Sequence, residues 1–279
     1  MTTVMITALR LQHHVQRSRA LLGLVLLSTS LLALPPRSAE ATTYNYTAGH
    51  ADIGLAYTSG TGAGSGPRLY LEFGANAVAT GLTNAQLQAG QPGGEAGEWS
   101  PSSFITVVPQ NIAVARPVGS QWDFLGANPG QLVWVFGQTS QPGVPFVGFD
   151  TSKANGGTGT FTLANILARP AGGEVSLFSM GGFGTPTVFW SSFQAGTDAV
   201  TVPAATHTHY NFGFSQPGYY ELEVVGTGDN FPGQATGVFA FQVVPEPSAL
   251  LLAIAGLAAA GLPPRRWPHG RKPAGFSTL

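Results

Sequence analysis

Between residues 42 and 244 the chain is written in short apolar runs whose hydrophobic positions tend to fall two apart. In "YYELEVV", Tyr219 to Val225, Glu221 and Glu223 alternate with Tyr220, Leu222 and Val224, the pattern of a strand with one face in water. The runs "IGLAYT", "RLYLEF", "QLVWVFG", "GTFTLA", "EVSLFSM", "PTVFWSSF", "HYNFGF" and "GVFAFQVV" are of the same kind, aromatic-rich or alternating. Gly, Pro, Asn and Ser separate them, as turns require. No sustained helical period interrupts the series, although "LTNAQLQAG" is long enough for a turn or two of helix. "GQPGGEAGEWSPSS" reads as a long exposed loop, and the glycine run from Gly60 to Gly66 as a hairpin loop. Many short strands with frequent turns predict an all-β body, a β-sandwich of the Ig-like kind, spanning residues 42–244.

Both ends break this pattern. The N-terminus carries Arg10, Arg17 and Arg19, then the apolar stretch Ala20 to Leu34, then Pro35, Pro36 and the small-residue signal Ala39-Glu40-Ala41. Basic, apolar and small residues in that order predict a signal helix over residues 1–41, cleaved by signal peptidase after Ala41, and hence export. At the other end Ser248 to Leu262 form a second apolar run, followed by Arg265, Arg266, Arg271 and Lys272. A bilayer span needs about 20 apolar residues, so by length this run is a marginal span, a core helix or a processing signal. The basic residues after it favour a tail held at the inner membrane with its charges on the cytoplasmic side.

The stretch "VPEPSALLLAIAGLAAAGLPPRR" resembles the PEP-CTERM sorting signal: a Pro-Glu-Pro box, an apolar helix and a basic cluster. The resemblance implies that residues 245–279 are a sorting segment handled by an exosortase. Pro245, Glu246 and Pro247 would be the recognition box, and Arg265 and Arg266 the basic stop. Two prolines hold such a box extended and deny it to a helix. The tail beyond Arg266 is longer than is usual in that family. The expected location is the cell envelope, the surface or an exopolysaccharide matrix, with transient anchoring by the C-terminal helix.

Composition narrows what the body can do. There is no cysteine, so neither disulfides nor thiolate chemistry are available and the core alone must stabilise the domain. Residues 42–244 hold four basic residues (Arg68, Arg116, Lys153, Arg169) against 11 acidic ones, an imbalance that the near-neutral whole chain conceals. Such a body is not expected to seek nucleic acid, and cations are the more natural partners.

The body holds three histidines, His50 in "GHAD" and His207 with His209 in "THTHYNFGF". On a strand, residues two apart share a face, so His207 and His209 project side by side. His50 or Asp52 would complete a His₃ or His₂–carboxylate set suited to zinc or another divalent transition metal. Solvated or core histidines that only hydrogen-bond are the alternative.

The stretches "GHADIGLAY", "WDFLGANPGQLVWVFGQTSQPGVPFVGFD" and "THTHYNFGFSQPGYYELEVVGTG" are similar, in this order, to the choice-of-anchor M domain and to actinobacterial surface-anchored repeats. That family uses several C-terminal anchors, PEP-CTERM among them, so the resemblance implies a surface protein. Some actinobacterial relatives are thought to accompany metal-type ABC transport components. Related repeats carry Asn-Trp where this chain has Asn211-Phe212. "PGYY", Pro217 to Tyr220, is a turn into a strand, and Asn211 is expected to bond a neighbouring loop.

The body lacks G-x-S-x-G, H-E-x-x-H and a phosphate-binding glycine loop, so the chain is not expected to be an enzyme. An acid pair such as Glu221 with Asp229 is the one hydrolytic arrangement to test, and an exposed Trp99 would leave room for a glycan-binding module. The expected function is thus a non-catalytic surface protein, or a metal-binding or metal-delivery module built on His50, His207 and His209.

Overall fold

The computed structural model describes residues 43–245, except positions 63, 183 and 197. The expected signal segment, and the sorting run with Glu246, Pro247, Arg265 and Arg266, lie outside the described residues. Pro245 is exposed, two residues past the last strand. Among the described residues no helix is long and apolar enough to cross a membrane.

The body is all-β. In chain order its strands are β1 (Tyr44–Thr58), β2 (Gly66–Phe73), β3 (Val78–Ala79), β4 (Phe104–Val108) and β5 (Ala113–Ala115). They continue with β6 (Leu132–Phe136), β7 (Pro145–Asp150), β8 (Gly159–Ala168), β9 (Val175–Met180) and β10 (Pro186–Ser191). The last are β11 (Ala199–Val202), β12 (His207–His209), β13 (Asn211–Phe214), β14 (Gly218–Gly228) and β15 (Gln234–Val243). One short helix, α1 (Asn84–Ala89), stands where "LTNAQLQAG" predicts it, opened by a Thr83–Gln86 capping box. Three short 3₁₀ turns accompany it.

A ten-stranded sheet runs in the order β11-β8-β14-β15-β4-β1-β7-β12, with β2 and β3 also paired to β1. A five-stranded sheet has the order β10-β9-β13-β6-β5. β1 is long enough to serve two neighbourhoods. Tyr44 to Tyr46 pair in parallel with β4, and from Gly49 onward the strand pairs in parallel with β7 and antiparallel with β2. The change falls at Gly49, whose φ of +85° suits glycine and whose missing side chain leaves room for the Asn76 carbonyl. The hairpin between β1 and β2 encloses the Gly60–Gly66 run, as expected.

Alternation decides burial along β14, where Tyr220, Leu222 and Val224 are buried while Glu221 and Glu223 lie on the wetter face. Alternation of residue type does not reveal the strand Phe104–Val108. Its burial does alternate, but every residue is apolar or threonine, so the sequence shows no polar beat. The core joins both sheets through aromatic contacts. Phe212 stacks on Phe136 at 5.5 Å and meets Phe241 of the larger sheet at 5.5 Å, while Trp190 donates to the Phe161 carbonyl at 3.2 Å. Each such fully buried side chain contributes roughly 1.5–3 kcal/mol.

Tyr210 stands where the chain changes sheets. β12 before it pairs with β7 of the larger sheet, and β13 after it pairs with β6 and β9 of the smaller one. This crossing positions the histidines.

Candidate metal centre

Four adjacent strands, β2, β1, β7 and β12, carry one polar face. Asp52 of β1 lies opposite Glu72 of β2 and Gly148 of β7, and Gly148 lies opposite His209 of β12. The next row holds Tyr70, Gly54, Asp150 and His207, and the row on the other side pairs His50 with Phe146. The period of two therefore places His50 and Asp52, and likewise His207 and His209, on the same side of the sheet.

β1 and β12 are separated by β7, so their backbones are about 10 Å apart at two strand spacings. Side chains bridge that gap because Gly148 leaves the middle open. A methyl group there would overlap Asp52 Oδ1 and stand 2.8 Å from His209 Cε1. Across this opening His50 Nε2 is 3.2 Å from His209 Nε2. Asp52 Oδ2 is 3.3 Å from His50 Nε2, and Asp52 Oδ1 is 3.9 Å from His209 Nε2. His207 closes the group: the three imidazoles offer ring nitrogens that all lie within 4.8 Å of one another. Ligand atoms on a tetrahedral ion bound at about 2.0–2.1 Å stand about 3.3 Å apart, so the shorter separations already match one coordination sphere.

The electrostatics leave this group unsettled. Asp52 is only 7% exposed, and its Oδ1 has no hydrogen-bond partner. Burial first, then the nearby charges of Asp150 and Glu72, push its carboxyl up to about 7. Burial, followed by the neighbouring His50, lowers the His209 imidazole to about 4. His50 is lowered by burial and by His207. His209 lies flat on Phe146, with centroids 3.6 Å apart and planes 4° apart. Its buried Nδ1 meets no partner at hydrogen-bond geometry, although the Val147 carbonyl is near enough to favour protonation. Neutral imidazoles beside a deprotonated carboxylate with one oxygen free of hydrogen bonds are the forms a divalent cation takes as ligands.

The surrounding carboxylates are already engaged. Asp150 accepts from the Tyr70 hydroxyl at 3.0 Å, from Ser152 Oγ at 2.6 Å and from the Ser152 amide at 3.2 Å. Glu72 pairs with Lys153 at 3.1 Å, and Arg68 grips Glu98 with two bonds of 2.7 and 2.9 Å. A cavity of about 300 Å³ opens beside the histidines, lined by His50, Asp52, Glu72, Asp150 and His207 among others.

The structure thus brings together all four residues singled out as metal ligands: His50, Asp52, His207 and His209. Sequence reasoning passed over Phe146, Gly148 and Asp150, although "PFVGFD" spaces them two apart, the signature of one strand face. Two other expectations fail. Glu221 lies near the start of β14 and Asp229 just past its end, eight residues of extended chain or about 26 Å apart, too far for paired acid–base work. Trp99 is not an exposed platform for sugars: it is 4% exposed and its Nε1 donates to the Leu87 carbonyl at 2.8 Å. The open groove beside it, about 760 Å³, contains Arg68 and Glu98 already paired with each other. Asn211 bonds a loop, as expected, through Gln138.

No family model matches the sequence, and no curated protein matches it. Among solved structures, a family 123 glycoside hydrolase from Clostridium perfringens is similar over 41% of this chain and 20% of its own, at 11% identity and a TM-score of 0.18. So slight a likeness, over a fifth of that enzyme's length, carries no conclusion about fold or activity.

Proposed function

We propose that this protein is an exported, surface-sorted module that binds a divalent transition metal, zinc or copper, through His50, His207, His209 and Asp52. The observation that carries the reading is the meeting of three imidazoles beside a buried carboxylate with an unpartnered oxygen. Imidazole and carboxylate donors without thiolate suit zinc, copper or nickel better than calcium or magnesium. The acidic body favours attracting cations over anions.

The two apolar ends support delivery outside the cytoplasm, with signal peptidase, an exosortase and the inner membrane as partners in sorting and exopolysaccharide as the surrounding. In this reading the two sheets form a β-sandwich of the Ig-like kind, with the metal site on one polar face. The role is non-catalytic.

One preparation tests both parts. The protein isolated from the envelope fraction, with its termini read by mass spectrometry and its metal stripped, is titrated calorimetrically with zinc. One equivalent is expected to bind at micromolar Kd or tighter, a gain of about 8 kcal/mol. The His50→Ala, His209→Ala double variant should lose that binding. A full-length chain retained in the cytosol would sink the sorting reading, and a stripped protein giving no heat with zinc or copper would sink the metal reading.

A further inference from the structure

Within the site the four donors are not equivalent. Asp52 and His209 are held from behind: Asp52 is buried, His209 is stacked on Phe146, and both belong to the row that crosses the sheet through Gly148. His207 is exposed and sits on the outermost strand of this sheet. Its ring neighbours are those of His50 and His209, and among the described residues no hydrogen bond or ion pair holds its orientation. Its backbone, by contrast, is fixed. Thr151, fully buried, donates its hydroxyl to the carbonyls of Pro203 and Thr206 just before the strand, and its amide to Thr206 as well.

Two overlapping donor sets follow. The inner one is His50, His209 and Asp52, with separations of 3.2, 3.3 and 3.9 Å. The outer one is His50, His209 and His207, all within 4.8 Å. The sets share two imidazoles and differ in one donor. Asp52 forms close pairs with His50 and His209, and none with His207 among the described residues. His207, with His50 and Asp52, also lines the cavity of about 300 Å³ that opens beside the group, whereas His209 does not.

We infer that His207 is the entry and exit ligand of a two-position metal site: an ion is first captured by the outer set, then moves inward by exchanging His207 for Asp52, and leaves by the reverse path. Exchanging one ligand while two remain bound avoids the full dehydration step that a buried site would otherwise impose. By reversibility the same ligand speeds both directions, so it governs the rate of exchange more than the resting affinity. Such a site suits a protein that passes its ion to a partner offering imidazole or carboxylate donors. This deepens the metal-binding reading and rests on it.

The test is stopped-flow capture of Zn²⁺ by the metal-free full chain, and its release to a competing fluorescent chelator, for wild type, His207→Ala and His207→Gln. Both variants should slow capture and release together by about tenfold, so that the loss in each rate exceeds any change in Kd. Free imidazole added at millimolar concentration should restore the rates of His207→Ala. If His207→Ala raises Kd by more than the roughly tenfold expected for the rates, or leaves both rates unchanged, the inference is overturned while metal binding itself stands. A wild-type chain that captures no Zn²⁺ overturns both. The two variants differ in bulk, so a rate loss confined to one of them, without imidazole rescue, also counts against the inference.

Discussion

The run from His207 to Phe214 feeds two polar clusters with opposite characters. Before Tyr210, His207 and His209 lie on the face of Asp52 in a group where Asp52 Oδ1 and His209 Nδ1 have no hydrogen-bond partner. After Tyr210, Asn211 exchanges hydrogen bonds with Gln138. The Gln138 amide donates to Asn211 Oδ1 at 3.2 Å, and Asn211 Nδ2 donates to Gln138 Oε1 at 2.7 Å. Gln138 goes on to bond both the amide and the carbonyl of Met180. The second cluster satisfies itself and ties loop to strand. The first spends folding stability on a carboxylate that its own neighbours do not neutralise. A buried group left in that condition is more at home with a ligand than as a structural element.

The largest effect is expected on the structural side of Tyr210. Phe212 is fully buried between Phe136, Trp190 and Phe241, so Phe212→Ala should cost about 3–5 kcal/mol in chemical denaturation. A loss below about 1 kcal/mol would mean that β13 is not a core strand and that the contrast across Tyr210 is misdrawn.

Asp52→Asn gives the sharpest test because the sign reverses. The carboxyl's ordinary value is 3.8 and its folded value about 7, so folding disfavours the charged form. The resulting penalty is absent below the lower value, grows as pH rises between the two, and is complete above the higher. The metal-free variant should therefore be more stable than wild type by about 2 kcal/mol at pH 8, with the advantage fading toward pH 4. Thermal melts across that range measure it. The same variant should show a smaller zinc-induced rise in Tm. A variant less stable than wild type at pH 8 would make Asp52 an ordinary structural acid.

The smallest effect belongs to the satisfied cluster. Asn211→Ala should cost about 1 kcal/mol and leave the zinc affinity unaltered, since the amide pair lies on the other sheet. A change in affinity comparable to that of the histidine variants would show the two clusters to be coupled, and would break the contrast from the other side.

Local pattern carried much of the fold. The alternation in "YYELEVV", the capping box around Thr83 and the glycine run after β1 each report a neighbourhood of a few residues, and each is found as expected. β4 shows no polar beat because its wetter positions, Ile105 and Val107, are apolar while Thr106 is buried, and Trp99 was misjudged because burial depends on Leu87 and Phe104, which no nearby residue announces. The acid pair Glu221 and Asp229 failed for a different reason: closeness in sequence along an extended strand is distance in space.

The site divides in the same way. That His207 and His209 share a face, and that His50 and Asp52 do, follows from the two-residue period of a strand and needs nothing beyond the order of residues. That the two pairs meet depends on β7 lying between β1 and β12, on the parallel register that sets Gly148 beside Asp52, and on the change of sheet at Tyr210. Strand order and register are set by long-range burial of apolar faces, which couples residues about 150 positions apart, whereas alternation is a local consequence of backbone geometry. The donors can be read from the chain; their meeting over one missing side chain belongs to the folded molecule.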